Sequence, residues 1–258
     1  MNQSQLKNEA LQCAYKINNV VEDKEFFKKP FKHLVIDDFF SEGFAAELLN
    51  KFPGINENVW QRTNDEDIEI KLRSMWASEF DIPEGLVDAV RILNSSLILN
   101  AMTKQFEIKK LVPDPYFSGG GLNTTVSGGL LDVHVDGNYH DATGLNRRIN
   151  AIVYLNTGWQ DGWGGEFGLY DSTGDKLIKK VAPLYNRLVI FDTNDYSFHG
   201  LPDPLTFPLS EVRKSIILYY YTKEARPESQ IDIEAPHSAL WKKRGLTDKN
   251  GNKTRDFK

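Results

Sequence analysis

His134-Val135-Asp136 is a His-x-Asp triplet inside a run of β-forming residues. Period two puts its imidazole and carboxylate on one face of a strand, where both reach one point. A second histidine, His199, lies well downstream, shortly after the β-type run Leu188-Val189-Ile190-Phe191. In an antiparallel barrel, strands that far apart in sequence can be neighbours. Two imidazoles and one carboxylate on one side of a divalent metal leave its other side open. That donor set suits non-haem Fe(II) and admits further ligands. The plain alternative is a strand histidine followed by a turn aspartate before Gly137, and the company of His199 weighs against it.

Arg213 opens the run Arg-Lys-Ser-Ile-Ile-Leu-Tyr-Tyr-Tyr. Alternation places Arg213, Ser215, Ile217 and Tyr219 on one face and Lys214 on the other. A guanidinium with a hydroxyl two residues on makes a carboxylate clamp, because the arginine fork matches two oxygens. Tyr154 is either a third donor to that clamp or plain core packing. A structural ion pair is the alternative role for Arg213. His140 reads as a solvated loop residue, and His33 and His237 read as surface.

The elements that must position these groups follow from patterning. Residues 3–18 form an amphipathic helix with Leu6, Ala10, Leu11 and Ala14 on one side. Residues 33–40 read as a strand. Ser41 is the expected N-cap of a helix through Leu49. Residues 54–82 read as polar and irregular, with 61–80 either a lid or a surface loop. A longer helix fits 85–106, where Leu86, Val90, Leu93, Leu97 and Ala101 recur at steps of three and four. Beyond about residue 110 short β-type runs follow, at 122–126, 130–135, 148–156, 166–170, 176–181, 187–191 and 213–222. Strands without intervening helices point to a barrel or sandwich rather than a βαβ sheet. Trp159, Trp163 and the glycines Gly162, Gly164 and Gly165 build either a tight hairpin or one wall of a pocket.

Composition bounds the rest. The chain has 258 residues, 40% of them hydrophobic and 26% charged, an ordinary globular profile that excludes a disordered or fibrous protein. Its one cysteine, Cys13, excludes a disulfide scaffold and any Cys-rich zinc or iron–sulfur site. A net charge of −5 argues against a general nucleic-acid coat. No signal-peptide layout or membrane-length apolar run is found, so a cytoplasmic protein without membrane contact is expected. The basic tail 241–258 is read as a solvated terminus, with contact to RNA as the alternative.

Taken together, these pieces resemble the 2-oxoglutarate- and Fe(II)-dependent dioxygenases, in the branch containing prolyl hydroxylases. The pieces are His134-x-Asp136, Tyr154-Leu155-Asn156, Gly164-Gly165-Glu166-Phe167, His199-Gly200 and Arg213-x-Ser215. They fall in the family's order over roughly residues 111–222. Val35-Ile36-Asp37-Asp38-Phe39-Phe40 before a helix is also similar to that branch. The resemblance implies a mainly β fold with flanking helices (α+β), a double-stranded β-helix or jelly-roll core with helices packed on one sheet. Residues 1–110 would be a helical and strand support, 111–223 the catalytic core and 224–258 a polar extension.

By position, the resemblance implies His134, Asp136 and His199 as Fe(II) ligands. Arg213, Ser215 and Tyr154 would hold the distal carboxylate of 2-oxoglutarate. Some prolyl hydroxylases use lysine there, which makes Lys214 the rival to Arg213; strand phase with Ser215 favours Arg213. Thr124 stands where some relatives place a tyrosine. The interval from His199 to Arg213, with Pro202, Pro204 and Pro208, is expected to be a loop. The implied reaction uses O2, releases succinate and CO2 and hydroxylates a C–H bond, with ascorbate as a further reductant. Asp136 favours hydroxylation over halogenation. The implied substrate is a prolyl residue in a peptide or protein. A free amino acid or small metabolite is the alternative, and a non-catalytic jelly-roll binding module is a second.

Overall fold

The computed structural model describes residues 1–65, 68–201 and 203–242. Its helices are α1 (Gln3–Asn18), α2 (Glu42–Lys51), α3 (Val87–Leu93) and α4 (Ser96–Phe106). The strands begin with β1 (Phe26–Phe27), β2 (His33–Ile36), β3 (Trp60–Asp65), β4 (Glu69–Ser74), β5 (Val112–Pro113), β6 (Gly121–Thr125) and β7 (Leu130–Val135). They continue with β8 (Asn146–Tyr154), β9 (Phe167–Tyr170), β10 (Leu177–Val181), β11 (Arg187–Asp192), β12 (His199–Leu201), β13 (Arg213–Thr222) and β14 (Leu240–Trp241).

All strand pairs are antiparallel, in the order β1-β2-β11-β8-β13-β6-β4-β7-β12-β9-β10. The sheet curls, so its two ends face each other. Ile152, Tyr154 and Phe191 on one half meet Phe167, Leu169 and Val181 on the other. This is a double-stranded β-helix. The alternate residues of the same strands, among them Ile216, Leu218, Val153 and Ile190, point the other way and pack under the helices with Ile17, Leu48, Ile92 and Met102. Strand period two thus sorts β13 into a helix-facing apolar row and an inner row that begins with Arg213 and Ser215.

Several elements differ from the sequence reading. Residues 85–106 are two helices, because Ser95 takes extended backbone and its hydroxyl caps the amide of Ile98. The amide and hydroxyl at an N-cap end one helix as they begin the next. Residues 60–65 and 69–74 are two paired antiparallel strands rather than an irregular segment or free lid. β4 pairs with β3 along its length and with β6 and β7 on its other edge. The polar outer strand Gln61-Arg62-Thr63-Asn64-Asp65 hid this pairing, since neither of its faces is buried. Ser41 sits at the N-cap of α2 but makes no side-chain cap bond.

The strand expected over 33–40 ends at Ile36. Asp38 turns the chain at φ 49°, and Phe39 and Phe40 enter the helix-facing core. Asn186 fixes this turn. It takes φ 58°, and its buried amide accepts from the Phe40 N–H and donates to the Phe40 carbonyl, both at 2.9 Å. His33 is fully buried rather than on the surface. Its Nδ1 donates to the Phe31 carbonyl at 2.8 Å, and burial lowers its pKa to about 4.

Two predictions follow from this packing. Asn186→Ala leaves both Phe40 backbone groups unpaired and keeps the left-handed backbone, so chemical denaturation should read a loss of about 2–4 kcal/mol; Asn186→Gly should lose less. Because the folded His33 pKa lies below the unfolded value, the unfolded chain takes up the proton first as pH falls. Stability contributed by neutral His33 is therefore full above about pH 6.5 and drains as pH falls toward 4. Denaturation curves for His33→Phe should show a flatter pH dependence across that window than wild type.

Candidate functional site

β7 carries His134, with Asp136 just beyond its end, and β12 carries His199. The register pairs His199 directly with His134, so the two imidazoles lie side by side with ring centroids 4.4 Å apart. Asp136 completes the group. His134 Nε2 lies 3.8 Å from one carboxylate oxygen and His199 Nε2 3.5 Å from the other. One ligand atom from each residue falls within 4.8 Å of the others, the spacing that a single metal ion can bridge. This is the one such cluster among the described residues.

The donor set also has the right protonation. Nδ1 of His134 lies 2.8 Å from the Asp132 carbonyl oxygen, and Nδ1 of His199 lies 2.8 Å from that of Ser197. A carbonyl only accepts, so each Nδ1 carries the hydrogen and each Nε2 keeps its lone pair. Burial, reinforced by His199, lowers the His134 pKa to about 3, and burial also lowers that of His199. Burial alone would raise the Asp136 pKa. The charge of Arg147, then those of His199 and His134, and a bond from Asn150 hold it below the ordinary carboxylate range. Neutral imidazoles and an ionised carboxylate are the forms a metal requires.

The support of Asp136 was not legible as a motif. Asn150 Nδ2 donates to Asp136 at 2.7 Å, and Arg147 Nε donates to Asn150 Oδ1 at 3.1 Å. The Arg147 guanidinium lies 3.4 Å from Asp136 and covers the Tyr219 ring at 3.5 Å. Period two from Tyr154 through Ile152 to Asn150 is the one sequence signal that put Asn150 on the inner face.

Arg213 and Ser215 on β13 and Tyr154 on β8 form a second group. Ser215 and Tyr154 are register partners. Arg213 is 6% exposed, donates to the Gly165 carbonyl at 2.8 Å and to the Tyr154 hydroxyl at 3.3 Å, and forms no salt bridge among the described residues. The Ser215 hydroxyl is buried without a hydrogen-bond partner. A buried guanidinium with no acid and an orphaned hydroxyl beside it fit an incoming carboxylate. Gly165, at φ 77°, lets this happen: a Cβ there would lie 2.8 Å from Leu205, 3.1 Å from Trp159 and 3.2 Å from Arg213. Lys214 lies on the opposite face. So does Thr124, its register partner, while Asn123 and Thr125 stand beside Ser215 and Arg213.

His140 is not a solvated residue. It is buried, and its Nε2 lies 2.9 Å from Asp114, which ties a loop to the sheet and leaves no lone pair for a metal. His237 is half-buried against Asp195 at 3.3 Å rather than free on the surface. Trp159, Trp163 and Phe207 form one aromatic cluster outside Gly165.

Residues 120–221 match the model of the 2OG-Fe(II) oxygenase superfamily. Over this segment the chain is similar to the 2OG-Fe(II) oxygenases. The matched segment holds all six residues of the two groups. Prolyl 3-hydroxylase OGFOD1 of Xenopus laevis is 25% identical over 222 residues, 81% of this chain and 39% of that protein. The mouse protein of the same name is 31% identical over 104 residues, 38% of this chain and 19% of that protein. The chain therefore spans well under half the length of the curated relatives it matches. A prolyl hydroxylase from Trichoplax adhaerens, solved with a hypoxia inducible factor peptide fragment, shares the fold. Its TM-score is 0.55 at 16% identity, covering 86% of this chain and 94% of that one. No helix among the described residues is long and apolar enough to cross a membrane.

Asn150→Ala removes a hydrogen bond to the charged carboxylate, so the Asp136 pKa should rise toward its ordinary value. Loss of such support to a metal ligand costs about 10–100-fold in affinity. Mn(II) titration of the full chain should show that loss.

Proposed function

We propose that this chain is a 2-oxoglutarate-dependent Fe(II) dioxygenase that hydroxylates a prolyl residue in a peptide or protein. The observation that carries the reading is the pairing of two buried groups, one suited to a divalent metal and one to a carboxylate. His134, Asp136 and His199 would hold Fe(II). Arg213, Ser215 and Tyr154 would hold the distal carboxylate of 2-oxoglutarate. Together Fe(II), 2-oxoglutarate and O2 supply oxidative decarboxylation to succinate and CO2 and the hydroxylation of a C–H bond.

The protein's own part is positional. Asn150 and Arg147 keep Asp136 charged and aimed. The Asp132 and Ser197 carbonyls fix the imidazole planes. Arg213 receives a cosubstrate carboxylate, and Trp159 with Leu205 keeps water from the guanidinium stem. Residues 111–223 carry this chemistry in our reading, with 1–110 as its support. Ascorbate is included as a reductant. A buried, unpaired Cys13 is compatible with the reducing cytoplasm that the reading includes.

The prolyl substrate draws support from the two OGFOD1 relatives, which are named prolyl 3-hydroxylases. A free amino acid is the competing substrate, and coupled turnover separates the two. Succinate release and a product heavier by one oxygen are expected with prolyl peptides and not with free proline or other amino acids. Turnover of a free amino acid alone would refute the peptide reading. For the cosubstrate, Arg213→Ala should weaken 2-oxoglutarate binding about ten- to hundred-fold while Mn(II) binding survives. A larger loss in Lys214→Ala would move the clamp to the other face of β13.

A further inference from the structure

The chain after β13 reads in sequence as a polar extension, yet its described part is built onto the metal-ligand strand. Asp195, 5% exposed, receives Arg226 at 2.7 Å and the backbone amides of Asp232 and Ile233 at 2.8 and 3.1 Å. Asn138 donates to the Ala235 carbonyl at 3.1 Å and accepts from the His237 amide at 2.9 Å. Gly137 leaves room for this passage, since a Cβ there would lie 2.9 Å from the His237 carbonyl oxygen. β14 then pairs with β7, Leu240 opposite Val135 and Trp241 opposite His134, and the Lys242 amide donates to the Val133 carbonyl at 2.8 Å. The result is that the Trp241 indole lies against the His134 imidazole, with centroids 4.3 Å apart and planes at 31°.

We propose that residues 226–242 are a strap that completes the metal site, and that Trp241 is a positioning residue for the ligand His134. The inference rests on the metal reading above. His134 is held at its Nδ1 edge by the Asp132 carbonyl and touches His199 on its ring. A single hydrogen bond leaves the imidazole free to rock about that edge. The indole removes this freedom, and strand pairing places it there without relying on the flexibility of a loop. A tilted aromatic contact of this kind adds modest but directional energy. Gly137 is needed because the strap crosses the chain immediately after the Asp136 ligand.

The test uses the full chain with Trp241→Ala, Trp241→Phe and Gly137→Ala. Each is titrated with Mn(II), read by the electron paramagnetic resonance of free Mn(II), and with Co(II), read by quenching of tryptophan emission. Trp241→Ala and Gly137→Ala should weaken Mn(II) binding about three- to ten-fold. Trp241→Phe should restore it to within about two-fold of wild type, because a phenyl ring still packs on the imidazole. Co(II) quenching should lose most of its amplitude in Trp241→Phe. Wild-type Mn(II) affinity in Trp241→Ala, or undiminished quenching in Trp241→Phe, overturns the proposal. If Trp241→Ala does not fold, the quenching amplitude of the phenylalanine variant decides. His134→Ala separates the two levels: if it keeps Mn(II), the metal reading falls and the strap's role with it; if it loses Mn(II) while the Trp241 variants bind as wild type, the strap's role alone falls.

Discussion

Two neutral imidazoles and one ionised carboxylate must sit within 4.8 Å of one another in a buried interior, and much of the molecule serves that requirement. Burial keeps the histidines neutral but works against the carboxylate, which alone would gain a proton. Arg147 and Asn150 reverse the second effect without disturbing the first. The imidazoles need direction as well as neutrality. Each donates from Nδ1 to the carbonyl two residues earlier in its own chain, so backbone conformation sets the tautomer and aims Nε2 inward.

His33 shows what this device does by itself. It makes the same bond to the carbonyl two residues earlier and is also fully buried. Its Nε2 has no partner, and no carboxylate converges on it among the described residues. A neutral, oriented, buried histidine is thus common ground between core and site. Convergence across the β7–β12 register makes the difference.

That distinction explains what sequence reasoning reached. The shared face of His134 with Asp136 and that of Arg213 with Ser215 were legible because period two acts within one strand. The neighbourhood of His199 with His134 was suggested by its place in an ordered set of motifs. Asn150 shares the period-two face of Tyr154 but only strand pairing brings it to Asp136, and Arg147 and Trp241 reach the site through contacts that leave no local pattern. The β3–β4 pair was missed because its outer strand buries neither face. His33 and His140 were misplaced because a lone histidine carries no sign of its burial. The split of 85–106 has another cause: the apolar spacing runs straight through Ser95, whose capping role shows only in the structure. Described residues end at 242, so the basic stretch 243–258 lies outside them.

The central claim is that the histidine–carboxylate group and the Arg213 clamp serve one metal and one cosubstrate at once. Anaerobic addition of 2-oxoglutarate to Fe(II)-loaded protein tests it most directly, read by the visible charge-transfer absorption that a chelated keto acid gives with Fe(II). The account predicts a band that saturates at one 2-oxoglutarate per chain and requires Fe(II). Fe(II)-loaded protein that binds 2-oxoglutarate without developing the band, or that does not bind it, would contradict the account.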